Sequence, residues 1–161
     1  MQFSLEALIG EHLLQTGWRL ALGESCTGGL VGHRITQVPG SSQYFLGGVI
    51  AYSNYAKQTL LGVSPQTLST HGAVSEQAAL EMASGARRVL AAEVGLSVTG
   101  IAGPGGGSQD KPVGLTWIAI NTPNKEQAIC NVWTGNREQN KADSADAALT
   151  LLLETLQEPR A

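Results

Sequence analysis

Trp18-Arg19-Leu20-Ala21-Leu22-Gly23, then Glu24-Ser25-Cys26-Thr27-Gly28-Gly29, then Leu30-Val31-Gly32-His33-Arg34-Ile35-Thr36-Gln37 read in succession as strand, loop and helix. Trp18 to Leu22 is a short apolar run ended by Gly23, the pattern of a buried strand. The helix is expected from about Gly28 to Gln37, with its first backbone N–H groups facing whatever lies beside Ser25 and Thr27. A strand that feeds a helix through a loop of small residues is the opening unit of an α/β fold.

The flanking sequence continues that pattern. Leu5, Leu8, Ile9, Leu13 and Leu14 give residues 4–16 a helical stripe, and Gly17 stops it. Val38 to Ser42 is a turn, and Phe45 to Tyr52 is a strand with a glycine pair. Asn54 to Leu61 is a short helix, and Ser64-Pro65 is an N-cap with proline at the first helical position. Ser75 caps a longer helix to about Ala92, and Leu96 to Thr99 is a strand running into the glycine-rich loop Gly100–Ser108. Leu115–Asn121 and Ala128–Trp133 are strands joined by a hairpin at Thr122–Lys125. Asn136 caps a last helix to about Leu156, with Gln139 placed for a capping box. The order α-β-α-β-α-α-α-β-β-β-α predicts one three-layer α/β/α domain over residues 1–161, its sheet mixed because of the late hairpin.

Composition narrows the function. A chain of 161 residues, 42% apolar and 14% charged, suits a single core. Ten Lys and Arg against thirteen Asp and Glu, with no basic run, argue against nucleic acid as a partner. Cys26 and Cys130 lie far apart with no CxxC or histidine-spaced pattern, so no metal site is expected. The N-terminus lacks a basic flank and apolar core, and no apolar run approaches the ~20 residues of a membrane span. The expectation is a cytoplasmic protein without a membrane partner.

The chemistry concentrates in the first half. Glu24–Gly29, Gly40-Ser41-Ser42 and Tyr52-Ser53-Asn54-Tyr55-Ala56-Lys57 together supply hydroxyls, a thiol, a lysine and glycine-bearing turns. That inventory can build a nucleophile, a base and a set of backbone N–H donors. The Gly100–Ser108 loop can cradle an anion with successive N–H groups. It is neither a Walker loop, lacking Gly-Lys-Ser/Thr, nor a dinucleotide fingerprint, lacking a following helix. Without a ligand it would be a flexible connection between strands.

These segments resemble the CinA C-terminal domain-like family, including its stand-alone nicotinamide-nucleotide amidases. The matching stretches are Glu24–Gly29, Gly40-Ser41-Ser42, Tyr52-Ser53-Asn54 with Ala56-Lys57, Leu61-Gly62-Val63, His71–Ser75, Gly100–Pro104 with Gly106-Gly107, Lys111–Gly114 and Gly135-Asn136-Arg137. They occur in family order over nearly the whole chain. The resemblance implies hydrolysis of the carboxamide of nicotinamide mononucleotide to nicotinate mononucleotide and ammonia, with no metal or cofactor. Only a short helix precedes the first motif, which resembles the stand-alone form.

Under that resemblance, Ser42 is the expected nucleophile and Lys57 the base, with Tyr52 orienting Lys57 or passing a proton. A lysine can act so only if burial or a neighbouring cation lowers its pKa. Ser25, Thr27 and backbone N–H groups near Gly28-Gly29 and Ser41-Ser42 would stabilise the oxyanion. Gly103, Gly105, Gly106 and Arg137 would hold the 5′-phosphate. The family pattern carries an acid before this arginine and often a second arginine four residues later; here stand Asn136 and Lys141, and lysine cannot make the planar fork. Cys26 is the competing nucleophile, since a helix N-terminus lowers a thiol pKa, although free cysteines more often pack as small hydrophobes. A non-catalytic nucleotide-binding module and an amidase for another pyridine carboxamide are the alternative functions. A homodimer is expected only because symmetric dimers are the commonest soluble oligomers.

Overall fold

The elements in chain order are α1 (Leu5–Thr16), β1 (Leu20–Glu24), α2 (Leu30–Thr36), β2 (Phe45–Ile50), α3 (Asn54–Leu61), α4 (Pro65–Thr70), α5 (Glu76–Leu90), β3 (Val94–Gly100), β4 (Leu115–Asn121), β5 (Glu126–Val132) and α6 (Arg137–Gln157). They come from a computed structural model that describes residues 2–160. A single 3-10 turn, Ser41–Gln43, precedes β2. The expected order of elements holds, and the expected caps form. Ser64, Ser75 and Asn136 accept from the backbone N–H groups of Thr67, Ala78 and Gln139, and Gln139 closes the capping box. Each such cap is worth about 1 kcal/mol.

The five strands form one mixed sheet in the order β2-β1-β3-β4-β5. β1 pairs in parallel with β2 and β3, while β4 runs antiparallel to both β3 and β5. Strand alternation divides the core between the two faces. Leu20, Leu22, Leu96, Val98, Ile118 and Ile120 meet Ile9, Leu13, Val31, Ile35, Leu149 and Leu152 of α1, α2 and α6. The opposite face presents small residues, and α5 answers with Ala79, Met82, Ala83 and Ala86. Small against small brings α5 close: a β-carbon on Gly95 would lie 2.0 Å from the Ala83 carbonyl oxygen. Ser97 Oγ donates to the Ala79 carbonyl at 2.6 Å across the same contact.

Boundaries differ from the sequence reading where pairing decides them. β1 runs Leu20–Glu24 rather than Trp18–Leu22, because its ladders to both neighbours span those residues. α2 starts at Leu30, since Gly28 and Gly29 take φ values of 60° and 101° in a left-handed turn. β5 starts at Glu126, which pairs with Asn121 across the hairpin.

This topology creates a crevice. α2 carries the chain from β1 to β2 over one face, and α3–α5 return it over the other face to β3, on the far side of β1. The connections therefore diverge at the carboxyl end of β1, which is where open α/β sheets place ligands. No helix among the described residues is long and apolar enough to cross a membrane.

Candidate active site

At that crevice the ends of three strands are laced together. Ser25, the first residue beyond β1, donates its N–H to the Val98 carbonyl at 2.9 Å, and Ala51, the first beyond β2, donates to the Glu24 carbonyl at 2.8 Å. Ser53 then N-caps α3, accepting from Ala56 N–H at 3.0 Å. Helical side chains lean toward the N-terminus. Lys57, in the first turns of α3, accordingly reaches back over the carboxyl ends of β2 and β1.

Lys57 is 1% exposed, which is rare for an unpaired lysine. Its Nζ donates to Ser25 Oγ at 2.8 Å, to the Ala51 carbonyl at 2.8 Å and to the Tyr52 carbonyl at 3.3 Å. No carboxylate forms an ion pair with it among the described residues. Burial pushes its ammonium below the ordinary lysine value, opposed only by the nearby Cys26 sulfur. A lysine so placed can exchange a proton with Ser25.

Ser42 is not part of this arrangement. It lies exposed in the turn before β2, whereas Lys57 lies beyond the other end of that strand. Six residues of β2, at ~3.3 Å each, separate the two by ~20 Å. The pairing of Ser42 with Lys57 is thus corrected to Ser25 with Lys57. Ser41 shares that remote turn, its N–H bonded to the Val38 carbonyl, and reaches no oxyanion in the crevice.

The remaining hydroxyls and glycines have other partners. Thr27 is buried and donates its hydroxyl to Glu24 Oε1 at 2.6 Å. Gly28 N–H is bonded to the Ser25 carbonyl, and Gly29 N–H to Glu24 Oε1. Neither glycine N–H is free for an oxyanion. The N–H groups of Cys26 and Thr27, by contrast, have no acceptor from another described residue.

Glu24 is the residue that sequence reasoning left unassigned. Its carboxylate is 4% exposed and accepts from Thr27 Oγ1, Gly29 N, Val31 N and Gly32 N. It therefore ties the turn after Ser25 to the start of α2. The available signal was a single acid directly before a loop of small residues that opens a helix.

Cys26 is buried in the same crevice, and burial pushes its thiol up to about 11. This fits the reading of Cys26 as a packed small residue rather than a nucleophile, because desolvation of the thiolate outweighs any stabilisation by the nearby helix N-terminus. Tyr52 has an exposed side chain whose hydroxyl accepts from Arg137 Nη2 at 3.2 Å; its carbonyl, rather than its phenol, holds Lys57. Arg137 Nη1 donates to the Gly103 carbonyl at 2.8 Å, so the guanidinium clamps the glycine loop to Tyr52. Gly105 and Gly106 lie exposed farther along that loop. Ser25, Cys26, Tyr52, Lys57, Thr99 and Arg137 border a cavity of about 180 Å³. No group of three or more His, Cys, Asp or Glu side chains is gathered as for a metal among the described residues.

Comparison with known proteins agrees with the architecture. The CinA C-terminal domain family matches residues 2–156. A CinA-like protein of Syntrophobacter fumaroxidans is 51% identical over 152 residues, which are 94% of this chain and 36% of that protein. A CinA-like protein of Chlorobaculum tepidum is 46% identical over 162 residues, covering 98% and 38% respectively. The chain thus spans less than two-fifths of the length of these curated relatives. Among solved structures, the competence damage-inducible protein A of Klebsiella pneumoniae superposes with a TM-score of 0.93 at 33% identity, over 97% of each chain. The competence/damage inducible protein CihA of Agrobacterium tumefaciens gives 0.88 at 36% identity, over 98% of this chain and all of that one. On sequence and on structure alike, the chain belongs to the CinA C-terminal domain family.

Proposed function

We propose that this domain is a serine amidase that converts nicotinamide mononucleotide to nicotinate mononucleotide and ammonia, with Ser25 as nucleophile and Lys57 as base. The observation that carries the reading is the 2.8 Å contact between Ser25 Oγ and a buried lysine ammonium that makes no ion pair among the described residues. The lowered pKa of Lys57 supports it, because a general base must be neutral at the working pH.

In this mechanism the neutral Lys57 amine takes the Ser25 hydroxyl proton as Oγ bonds to the carboxamide carbon. The carbonyl electron pair moves onto oxygen, where the N–H groups of Cys26 and Thr27 are the candidate donors; the N–H of the residue after a nucleophile serves this role in other hydrolases. Collapse of the tetrahedral species breaks the C–N bond, and Lys57 returns its proton to the departing nitrogen as ammonia leaves. Water then adds to the Ser25 ester while Lys57 takes its proton. The second collapse frees the acid and restores the Ser25 hydroxyl. The Ala51 and Tyr52 carbonyls hold Lys57 in place throughout, and Arg137 fixes the wall formed by Tyr52 and the Gly103 loop.

The test is ammonia release from nicotinamide mononucleotide by EDTA-treated protein. Ser25→Ala and Lys57→Ala should each abolish release without unfolding the domain, and Ser42→Ala should leave it within about twofold. Full activity in Ser25→Ala would refute the assignment. A folded wild type that binds the nucleotide without releasing ammonia would favour a binding module instead.

A further inference from the structure

The cavity beside Ser25 and Lys57, about 180 Å³, is smaller than the ~300–1,000 Å³ that usually enclose a small-molecule ligand. It suits a carboxamide and the ring bearing it, so the rest of a larger substrate must lie outside. Arg137 is common to two openings in the surface. It borders both this cavity and a second, larger and more open groove of about 520 Å³, walled by Leu30, Glu138, Lys141 and Ala142.

Lys141 overhangs the turn that carries Ser25. A β-carbon placed on Gly28 would lie 3.8 Å from Lys141 Nζ, and its positive charge is felt at the Cys26 thiol. The ammonium makes no ion pair among the described residues, not even with Glu138 one turn earlier on α6. Arg137, in contrast, already spends two N–H groups on Gly103 and Tyr52. One acid and two cations leave the groove net positive, and the less committed cation is Lys141.

We propose that this groove receives the part of the substrate beyond the amide-bearing ring, and that Lys141, assisted by Arg137, holds a phosphate monoester there. The inference rests on the amidase reading and adds to it a specificity-determining residue. It also moves the phosphate from the exposed Gly105-Gly106 stretch to the groove between α6 and the β1–α2 turn. Leu30 and Ala142 offer apolar contact to the segment linking ring and phosphate.

The experiment compares nicotinamide mononucleotide with the unphosphorylated nicotinamide riboside. Kinetics are measured in Lys141→Ala and Lys141→Arg, and binding of both compounds by calorimetry in Ser25→Ala with and without Lys141→Ala. Lys141→Ala should raise KM for the nucleotide about tenfold, leave kcat unchanged and leave the riboside unaffected; calorimetry should show the same factor. Lys141→Arg should retain nucleotide affinity, because the charge remains. Equal effects on the two compounds, no effect on either, or no nucleotide binding would overturn the assignment. If no protein releases ammonia but calorimetry shows the Lys141-dependent, phosphate-dependent loss, the amidase reading fails and the groove stands. If the nucleotide is turned over with a KM indifferent to Lys141, the groove fails and the amidase stands.

Discussion

Replacing Glu24 by glutamine or alanine tests whether the turn after Ser25 is held as the geometry indicates. The carboxylate gathers four donors: Thr27 Oγ1 at 2.6 Å, Gly29 N at 3.2 Å, and Val31 N and Gly32 N at 3.0 Å each. In Glu24→Gln the amide oxygen can keep the three donors now on Oε1, but the amide NH₂ would face the Gly32 N–H. One hydrogen bond is lost and two donors oppose each other, a cost of about 2 kcal/mol. In Glu24→Ala the Thr27 hydroxyl and the Val31 N–H are stranded in the core, while the half-buried Gly29 and Gly32 N–H groups can reach water. Two buried unpaired donors at ~1–3 kcal/mol each give about 4 kcal/mol. Urea unfolding at pH 7 measures both losses. At ~2–4 °C per kcal/mol, the melting temperature should fall by about 6 °C in the glutamine variant and about 12 °C in the alanine variant. Glu24→Gln unfolding within about 0.5 kcal/mol of wild type would refute the claim that this carboxylate organises the turn.

Lys57 predicts two pH effects. Because its folded pKa lies below the unfolded value near 10.5, the native state binds fewer protons than the unfolded chain between those two values, and stability rises with pH there. The cost of burying the ammonium is thus fully present below the folded pKa and relieved as pH climbs toward 10.5. Lys57→Met should abolish that rise in urea-unfolding free energy, and an unchanged slope would contradict it. Ammonia release should increase with pH and level off below 10.5 as the amine becomes neutral; a rate that falls over the same range would argue against Lys57 as base. Cys26, with its thiol at about 11, should be only about one part in a thousand thiolate at pH 8. Iodoacetamide should therefore label the exposed Cys130 alone in the native protein and both cysteines after denaturation, while Cys26→Ala should match wild type in the ammonia-release assay of the proposed amidase. Rapid native labelling of Cys26 would overturn that expectation.

The parts of this protein written locally were readable from the chain. Ser64-Pro65, Ser75 and Asn136 with Gln139 mark helix starts because a cap involves residues three apart, and the hairpin at Thr122–Lys125 needs only its own turn. Strand boundaries were less legible. Whether Gly23 and Glu24 belong to β1 depends on β2 and β3, which lie on either side of it in space but come later in the chain. The chemical inventory is also legible in the chain, since Ser25, Cys26, Tyr52, Lys57 and Arg137 all stand in its motif segments. The role of Glu24 is not legible there, because it needs the N–H groups of Gly29, Val31 and Gly32 to converge, and only the folded turn achieves that.

By itself, the sequence determined an α/β chain with its helices, its caps and a lysine one turn into a helix after the second strand, because propensity, periodicity and capping act within a few residues. It left two serines, each beside a glycine turn, as candidate partners for that lysine, and the family resemblance, rather than any local pattern, pointed to Ser42. Tertiary structure reversed the choice. Parallel pairing sets the carboxyl ends of β1 and β2 side by side, so Ser25 and Lys57 meet across 32 positions of sequence, whereas Ser42 stays a full strand length away. Strand direction is fixed by hydrogen-bond ladders between distant segments, and no local pattern around either serine encodes it.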